Sequence, residues 1–430
     1  MNNPNMNVKS ISDVKILLSD LQLDSKVIYQ ELKSVEIKVQ SIIERVMEEG
    51  DAGLRDLTEQ FDGCRITDFL IPFPELEYAW KHAEPIFRET VEKIVQTVRD
   101  FHQKQLNHSW WFARNHSILG EVLSPIQSVA AYIPGGRTSY PSSVIMTTVP
   151  AQIAGVKNIL LITPPNSKGE VSPDVLAVAY FTGIQTVIRA GGAQAIAAVA
   201  FGTESIPRVD KVVGPGNIYV TVAKKLLFGI VGVDSLAGPS EVVIIADESC
   251  RPDWVALDLL AQAEHDPLSR SILFSPSEHL LNKVKTFLKK ELTNHPIPFT
   301  KKVPLLLYKV DDLPSAFKLS NYIAPEHLQI CCEDPLQLLP LIQNAGAIFL
   351  GNLAPVTLGD YGYGPNHVLP TLSGSRFSRP LSVHDFLKTS SYIFPQKGDE
   401  SLVYPRYAYL AEREGLFYHC KSLLARMEEE

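Results

Sequence analysis

From about residue 128 onward, the sequence alternates between short apolar runs and stretches of helical character, and this alternation constrains the fold more than any other feature. The apolar runs cover residues 129–133, 159–163, 186–189, 211–213, 242–246, 272–274 and 347–350. The helical stretches cover residues 143–154, 173–181, 193–201 and 219–228. Strands that alternate with helices form βαβ units, in which helices cover both faces of a parallel sheet. The sequence therefore predicts an α/β fold with two Rossmann-like parallel-sheet units.

The two ends of the chain show helical periodicity without such alternation. Apolar residues recur at helical spacing between Val35 and Val46, and Gly50 and Gly53 mark the end of that pattern. From about residue 382 the apolar residues at helical spacing are Tyr407, Leu410, Leu416, Leu423 and Leu424. We therefore predict helical extensions at both ends. The C-terminal extension packs either on this chain or on a partner.

Composition is that of a globular protein and argues against several classes of function. Hydrophobic residues make up 45% of the 430 residues and charged residues 20%, and this length favours more than one domain. The net charge is −8, without a run of five like charges, which argues against a nucleic-acid-binding protein. The sequence lacks a membrane-spanning apolar stretch and a signal peptide pattern, so we expect a cytoplasmic protein. The five cysteines lack metal-type spacing and are expected to be reduced and mostly buried.

Glycine-rich turns adjoin several predicted strands and could approach a ligand. They cover residues 132–136, 191–194, 214–217 and 237–240. Glycine lets the backbone come close to a ligand, and a following helix N-terminus favours an anion such as a phosphate. However, Tyr219 stands where the third glycine of a G-x-G-x-x-G motif would be. Taken alone, such a turn is more often structural than functional, but together the four suggest a ligand site at the sheet edge without identifying a nucleotide.

Two segments carry side chains that suit a metal ion or proton transfer. Gln262 and His265 lie three residues apart at the end of a predicted helix and share one face, so both could bind one ion. Imidazole is a common zinc ligand and an amide oxygen an unusual one, and an ordinary polar helix end is the alternative. Glu326 and His327 follow Pro325, where a turn could direct both toward one pocket. They would supply two general acid/base groups, although a single Glu-His pair is more often structural.

Two later segments add further candidate ligands. Residues 358–370 are dense in glycine, proline, asparagine and histidine, which is typical of a shaped loop, and Asp360 and His367 are natural ligand contacts within it. Glu414 and His419 lie near the C-terminus, and they could act together only if they lined a shared cleft. The residues taken by themselves predict an α/β enzyme with glycine-lined turns and a hard or borderline metal ion.

Taken together and in this order, the segments closely resemble the histidinol dehydrogenase family. The resemblance extends from about residue 30 to 425. Its most specific blocks are YIPGGRTSYPSSVIM (132–146), GGAQAIAA (191–198), VGPGNIY (213–219), DSLAGPSEVVIIA (234–246), LLAQAEHDP (259–267), APEHL (324–328) and GPNHVLPT (364–371). Seven ordered blocks are far more specific than any one glycine-rich turn.

This resemblance implies an NAD-dependent, four-electron oxidation of L-histidinol to L-histidine through L-histidinal, the last step of histidine biosynthesis. It implies that His327 is the general base and that Glu326 activates water. It implies one zinc ion per subunit, which orients the substrate, and its ligands would be Gln262, His265, Asp360 and His419. Substrate contacts are implied at Ser240, Gln262, His265, His327, Asp360, His367, Glu414 and His419. NAD contacts are implied at Tyr132, Gln194 and Asn217.

The resemblance also implies an intertwined homodimer in which His419 reaches the zinc site of the partner subunit. On this basis the chain divides into an N-terminal helical arm (1–28), a discontinuous first α/β domain (29–131 and 239–381), a second α/β domain (132–238) and a C-terminal helical tail used in dimerisation (382–430).

Two other functions compete with this interpretation. One is a dehydrogenase on the same scaffold that acts on another small diol or amino alcohol, against which the retained His367, Glu414 and His419 argue. The other is a metal-binding protein without catalysis, against which the intact Glu326-His327 pair argues.

Overall fold

The structure is a computed structural model that describes residues 8–13, 17, 25–135, 139–297 and 305–427, with the backbone alone at 25–29, 31, 399 and 400. The predicted N-terminal arm (1–28), the turn residues Gly136 and Arg137, and the end of the tail therefore lie partly or wholly outside the described residues. The chain forms two compact units. The larger comprises Met1–Gln105 and Gln127–Asp385, and the smaller Leu106–Ile126 and Phe386–Glu430.

The elements follow one another along the chain with the alternation expected from the sequence. The strands are β1 (Val8–Ser10), β2 (Leu70–Ile71), β3 (Trp110–Arg114), β4 (Ser117–Pro125), β5 (Ser128–Tyr132), β6 (Asn158–Thr163), β7 (Thr186–Arg189), β8 (Lys211–Val213), β9 (Gly232–Val233), β10 (Glu241–Ala246), β11 (Arg270–Ser275), β12 (Leu305–Lys309), β13 (His327–Cys331), β14 (Ala347–Leu350) and β15 (Leu387–Phe394). The helices are α1 (Ser25–Glu49), α2 (Asp51–Asp62), α3 (Phe73–His82), α4 (Pro85–Gln103), α5 (Pro141–Ala154), α6 (Pro173–Phe181), α7 (Gly192–Phe201), α8 (Ile218–Leu227), α9 (Pro252–Ala263), α10 (Glu278–Asn294), α11 (Leu313–Ile323), α12 (Thr357–Asp360), α13 (Asp399–Arg413) and α14 (Phe417–Leu424).

The larger unit contains a first parallel sheet with the order β1-β12-β11-β10-β13-β14 among the described residues. Strand β10 is buried along its whole length, as its apolar sequence requires when helices cover both faces of a sheet. The chain leaves β10 in one direction for β11 and β12, and then returns to add β13 and β14 on the other side. This reversal of direction is the doubly wound topology of Rossmann-like folds.

A second sheet in the same unit has the order β2-β7-β6-β5-β8-β9 among the described residues. Its strands are parallel except for β2, which pairs antiparallel with β7. From β5 to β9 it repeats the doubly wound order of the first sheet. The expected fold class, with two Rossmann-like parallel sheets, is therefore confirmed.

The segment before the second sheet packs differently from the predicted domain division. Residues 29–131 are expected with 239–381, but Val39 and Leu54 of α1 and α2 share a core with Ile162 and Val199 of the second sheet and its helices. Strands β2 and β5 belong to that sheet as well. The apolar faces of α1 and α2 are thus buried on the second sheet, and this choice of packing partner depends on tertiary contacts that the periodicity does not specify.

The smaller unit corrects the expectation of a purely helical C-terminal tail. Strand β15 opens it and pairs antiparallel with β4, which in turn pairs with β3. Its run Leu387–Phe394 contains β-branched and aromatic residues, but its pairing partner lies far away in sequence. Helices α13 and α14 follow and agree with the predicted helical periodicity. In the described part of the chain, no helix has the length and apolarity needed to cross a bilayer.

Candidate active site

The Glu326-His327 pair lies at the start of β13, at the amino edge of the first sheet. Helix α11 ends at Ala324, whose φ of 52° reverses the chain direction before Pro325. The side chains of Glu326 and His327, which follow the proline, are both buried, with relative exposures of 6% and 5%. Glu326 Oε2 lies 3.6 Å from His327 Nδ1. The turn after the proline therefore brings the adjacent carboxyl and imidazole groups together, as the sequence suggested.

Glu241, the first residue of the neighbouring strand β10, holds both members of the pair through its backbone. Its N–H donates to Glu326 Oε2 at 3.0 Å, and its carbonyl accepts from His327 Nδ1 at 3.1 Å. Because a carbonyl can only accept, the His327 proton lies on Nδ1. The lone pair is consequently on Nε2, which accepts no hydrogen bond from the described residues.

Burial shifts the proton affinities of the pair in opposite directions. It raises the pKa of the Glu326 carboxyl well above its usual value, and the nearby charges of Glu241 and Asp360 raise it further. Hydrogen bonds from the Glu241 N–H and the Ser240 side chain lower it in part. Burial lowers the pKa of His327 to about 4, although the Asp360 charge opposes this shift. The imidazole is therefore neutral at physiological pH, and the carboxyl is a stronger base than an exposed one.

The Glu241 side chain is a further buried carboxyl beside the pair. Its Oε1 accepts from Leu372 N at 2.8 Å, and Arg270 Nη1 lies 3.8 Å from it. Burial raises the pKa of Glu241 to about 7, against the effects of Arg270 and the Leu372 N–H. The sequence analysis did not single out this residue. Its signal was a charged residue at the head of an otherwise apolar strand, next to Ser240.

Asp360 and His367 belong to one loop beside the pair. Asp360 ends α12, and its carbonyl accepts from His367 Nδ1 at 3.1 Å. The other ring nitrogen, Nε2, lies 3.1 Å from Ser143 Oγ, a residue of α5 that the sequence analysis did not single out. Burial lowers the pKa of His367, and the charge of Asp360 opposes this shift.

The predicted metal ligands of the larger unit lie in the same region. Gln262 is buried at the end of α9, and His265 follows it one turn later and is exposed. The charges of His265 and Asp360 act on the imidazoles of both His327 and His367, so the four groups lie within electrostatic range of one another.

The donor atoms suit a zinc ion in kind, because imidazole nitrogen and carboxylate oxygen are ordinary zinc ligands. Within the described ranges, no group of three or more His, Cys, Asp and Glu side chains is arranged to hold a metal ion. The zinc ligand set therefore remains a prediction. Gln262 supplies an amide, and only His265 and Asp360 lie with it in the larger unit, while His419 lies in the smaller one.

Tyr132, Gln194 and Asn217 lie at the opposite kind of edge, where the strands of the second sheet end. Tyr132 closes β5, and its hydroxyl accepts from Gly192 N at 3.1 Å, at the start of α7. Burial raises the pKa of Tyr132 to about 12, so its hydroxyl keeps its proton. Gln194 is buried in the first turn of α7, and Asn217 caps α8 by accepting from two backbone N–H groups.

Gly214, just after β8, shows why this edge requires glycine. Its φ is +105°, and a Cβ there would lie 2.2 Å from the carbonyl oxygen of Tyr132. A buried ion pair fixes the turn. Lys224 Nζ donates to Gly214 O at 2.5 Å and to Asp234 Oδ1 at 2.7 Å, while Gly214 N donates to Asp234 Oδ2 at 2.7 Å. This pair was not predicted from the sequence. A lysine on the apolar face of α8 could have indicated a buried ion pair.

The fourth glycine-rich turn, residues 237–240, precedes β10 and therefore lies at the amino edge of the first sheet. Unlike the other three glycine-rich turns, it does not follow a strand of its sheet. Gly238 N donates to Thr371 Oγ1 at 2.5 Å, which fastens the turn to the segment that carries Leu372. The glycine-rich turns are thus divided between carboxyl edges and an amino edge.

Glu414 and His419 lie in the smaller unit. Glu414 follows the last residue of α13, and His419 lies in α14. Both side chains are exposed. Their predicted contacts with zinc and substrate remain predictions.

The fold and the site together define a class: an α/β enzyme with two Rossmann-like parallel sheets, a buried carboxyl–imidazole pair and glycine-rich turns at a sheet edge. Sequence comparison makes the assignment specific. A model of the histidinol dehydrogenase family matches residues 27–427, so the chain belongs to this family of oxidoreductases.

Individual relatives agree with this assignment. A histidinol dehydrogenase from Aquifex aeolicus (strain VF5) is 45% identical over 400 residues, which cover 92% of this chain and 93% of that protein. One from Parasynechococcus marenigrum (strain WH8102) is also 45% identical over 400 residues, covering 92% of each protein. The crystal structure of histidinol dehydrogenase from Elizabethkingia anophelis superposes with a TM-score of 0.87 at 33% identity, covering 92% of both chains.

Proposed function

We propose that this chain oxidises L-histidinol to L-histidine through L-histidinal with NAD as the oxidant, the last step of histidine biosynthesis. The observation that carries the proposal is the buried Glu326-His327 pair, held on the backbone of Glu241 with His327 Nε2 available as a proton acceptor. Membership of the histidinol dehydrogenase family supports the choice of substrate.

In the first oxidation, His327 Nε2 takes the proton of the substrate hydroxyl while the carbinol carbon loses a hydride. Bound NAD would accept the hydride in each oxidation. A neutral imidazole suits this step, since burial keeps the pKa of His327 near 4 in the free protein. The hydrogen bond from Nδ1 to Glu241 O prevents the ring from turning away and fixes the tautomer.

In the second oxidation, the aldehyde must first gain water, because a hydride can leave only from the hydrated carbon. Glu326 takes the proton of that water, and its raised pKa makes it a stronger base for this purpose. Protonated His327 returns the proton from the first oxidation to the aldehyde oxygen, which completes the diol and restores the neutral imidazole. His327 Nε2 then takes a proton from the resulting diol as the second hydride leaves. Two acid/base groups side by side thus suit two deprotonations and one hydration.

The ligands are divided among the sites described above. Tyr132, Gln194 and Asn217 would contact NAD at the edge of the second sheet. The zinc ligands would be Gln262, His265, Asp360 and His419, and bound zinc would orient the substrate through its imidazole and amine nitrogens.

The remaining predicted substrate contacts are Ser240, His367 and Glu414, in addition to His327 and the zinc ligands. Ser240 supports this role because its side chain already contacts Glu326. Glu414 would hold an imidazole nitrogen or the ammonium group through a charge-assisted hydrogen bond. We further propose a cytoplasmic homodimer with His419 supplied across the subunit interface, for which the C-terminal helices α13 and α14 are the candidate elements.

Incubation of the purified protein with NAD and L-histidinol, followed by absorbance of NADH, tests the proposal. We expect two NADH per L-histidinol and L-histidine as the product, with zinc bound in a ratio of about one per chain. NADH formation from another amino alcohol but not from L-histidinol would favour a different substrate. Bound metal without NADH from any alcohol would favour a metal-binding protein that is not a catalyst.

A further inference from the structure

The imidazoles of His327, which is buried, and of His367, which is partly buried, differ in the hydrogen bonding of one ring nitrogen. In both His327 and His367, Nδ1 donates to a backbone carbonyl, which fixes the proton on that nitrogen. The lone pair is therefore on Nε2 in both rings. In His327 this nitrogen accepts no hydrogen bond from the described residues, whereas in His367 it lies 3.1 Å from the hydroxyl of Ser143. The Ser143 hydroxyl is the donor in that bond, because Nε2 carries no proton.

Ser143 lies in the first turn of α5 and is 3% exposed, so its hydroxyl does not exchange freely with water. A second contact lies one helical turn further along. There Asn366 Nδ2 donates to Met146 O at 2.7 Å. Two adjacent residues of the loop that carries Asp360 are thus bonded to two successive turns of one helix.

That helix belongs to the second sheet, while the loop belongs to the first. Helix α5 follows the turn after Tyr132, one of the proposed NAD contacts. The hydrogen bond therefore crosses from the cofactor side of the larger unit to the substrate side.

We propose that Ser143 is a positioning residue for L-histidinol oxidation: its hydroxyl holds the His367 ring in one orientation and one tautomer for substrate binding. The proposal rests on the proposed function, in which His367 contacts the substrate. With Nε2 occupied, His367 is not a second general base. It binds the substrate in a ring position that Ser143 and the Asp360 carbonyl determine.

Ser143→Ala tests this role, with Ser142→Ala as the matched control. Ser142 is the preceding residue of the same helix turn and has no hydrogen bond to the loop among the described residues, so the control removes the same atom elsewhere. Loss of one neutral hydrogen bond predicts a rise of roughly three- to tenfold in KM for L-histidinol in Ser143→Ala. We expect kcat to stay within about twofold and Ser142→Ala to behave as the wild type. Ser143→Thr keeps a hydroxyl and should bring KM back close to the wild-type value.

Three kinetic outcomes would overturn the positioning role of Ser143. They are an unchanged KM for L-histidinol in Ser143→Ala, a rise in KM of the same size in Ser142→Ala, or a KM in folded Ser143→Thr that stays as high as in Ser143→Ala. A merely structural serine would lower the melting temperature and kcat without this selective effect on KM.

The tautomer of His367 provides a readout that does not depend on activity. In ¹⁵N-histidine-labelled wild-type protein, assigned by comparison with His367→Gln, we expect the His367 ring to be wholly in the Nδ1–H form. In Ser143→Ala we expect a mixture of tautomers. A wild-type ring that is already mixed, or that is in the Nε2–H form, would overturn the proposal even if L-histidinol is oxidised. A failure of L-histidinol oxidation in the wild type would count instead against the proposed function, and the ring measurement would still test the bond.

Discussion

The amino edge of the first sheet and the carboxyl edge of the second belong to sheets of the same doubly wound topology but offer different chemistry. At the first edge, Glu241, Glu326 and His327 are ionisable, buried and shifted in pKa. At the second edge, Tyr132 and Gln194 offer a hydroxyl and an amide, beside turns built on glycine. Nearby, Lys224 and Asp234 form an ion pair and also hydrogen-bond to the backbone of the turn.

On the proposed function, this difference is a division of labour within one unit. Proton transfer requires groups whose pKa the protein has shifted toward the working range, which burial achieves at the first edge. Holding a large cofactor requires backbone that can come close to it and that does not titrate, which the second edge supplies. Both sheets share the doubly wound topology, so the division lies in the loops and strand ends rather than in the architecture.

The largest expected effect of a single substitution is that of His327→Ala on turnover. If the first edge alone transfers protons, loss of the Nε2 acceptor should lower kcat roughly 10²- to 10⁴-fold. NAD affinity, measured by isothermal titration in the absence of substrate, should change little. His279→Ala is the matched control, because His279 lies exposed on α10. A His327→Ala enzyme with more than about a tenth of the wild-type kcat would mean that proton transfer is not confined to this edge.

The second edge can be tested through its buried ion pair. Lys224→Met leaves the Asp234 carboxylate buried without its cation, which should lower the free energy of unfolding by about 3–5 kcal/mol. Urea denaturation of the protein measures this loss. Lys225→Met is the matched control, because that neighbouring lysine is one-third exposed and lies 3.5 Å from Glu36. Its loss should cost less than about 1 kcal/mol.

Equal free energies of unfolding for the two lysine variants would contradict a stabilising role of the buried Lys224–Asp234 pair at the second edge. The comparison of the two edges would also fail if Lys224→Met kept the wild-type KM for NAD at temperatures where it is folded. The ion pair would then not shape the turn that Gly214 and Asn217 share.

Much of this architecture could be predicted from sequence, because it depends on local pattern. The buried strand β10 and the alternation of short apolar runs with helices were enough to predict two parallel sheets. The surface on which α1 and α2 pack was not predictable in the same way. Their apolar faces fit any complementary surface, and only the tertiary structure places them on the second sheet. The pairing of β15 with β4 likewise joins residues more than 250 positions apart.

The site divides along the same line. Glu326 and His327 are adjacent in sequence, so one turn after a proline was enough to suggest that they act together. Ser143 and His367 are 224 residues apart, and Glu241 is 85 residues from Glu326, so no local spacing reports their contacts. The sequence therefore indicated the groups proposed to react, while the groups that hold them in place required the structure.

The smallest expected effect concerns Asp62. On the side of the second sheet Lys224 and Asp234 form an ion pair, whereas Asp62 has a buried oxygen without such a partner among the described residues. Its Oδ2 is buried and has no hydrogen-bond partner among the described residues, and burial raises its pKa from 3.8 to about 6. Between about pH 4 and 6 the folded state holds a proton that the unfolded state has lost, so the free energy of unfolding falls as pH rises through this window. Asp62→Asn removes this dependence. It should be more stable than the wild type above pH 6, by on the order of 1 kcal/mol after allowance for solvent, and should match it near pH 4. Urea denaturation at both pH values measures the difference, and an equal effect at both would show that Asp62 is not charged at a cost in the folded protein.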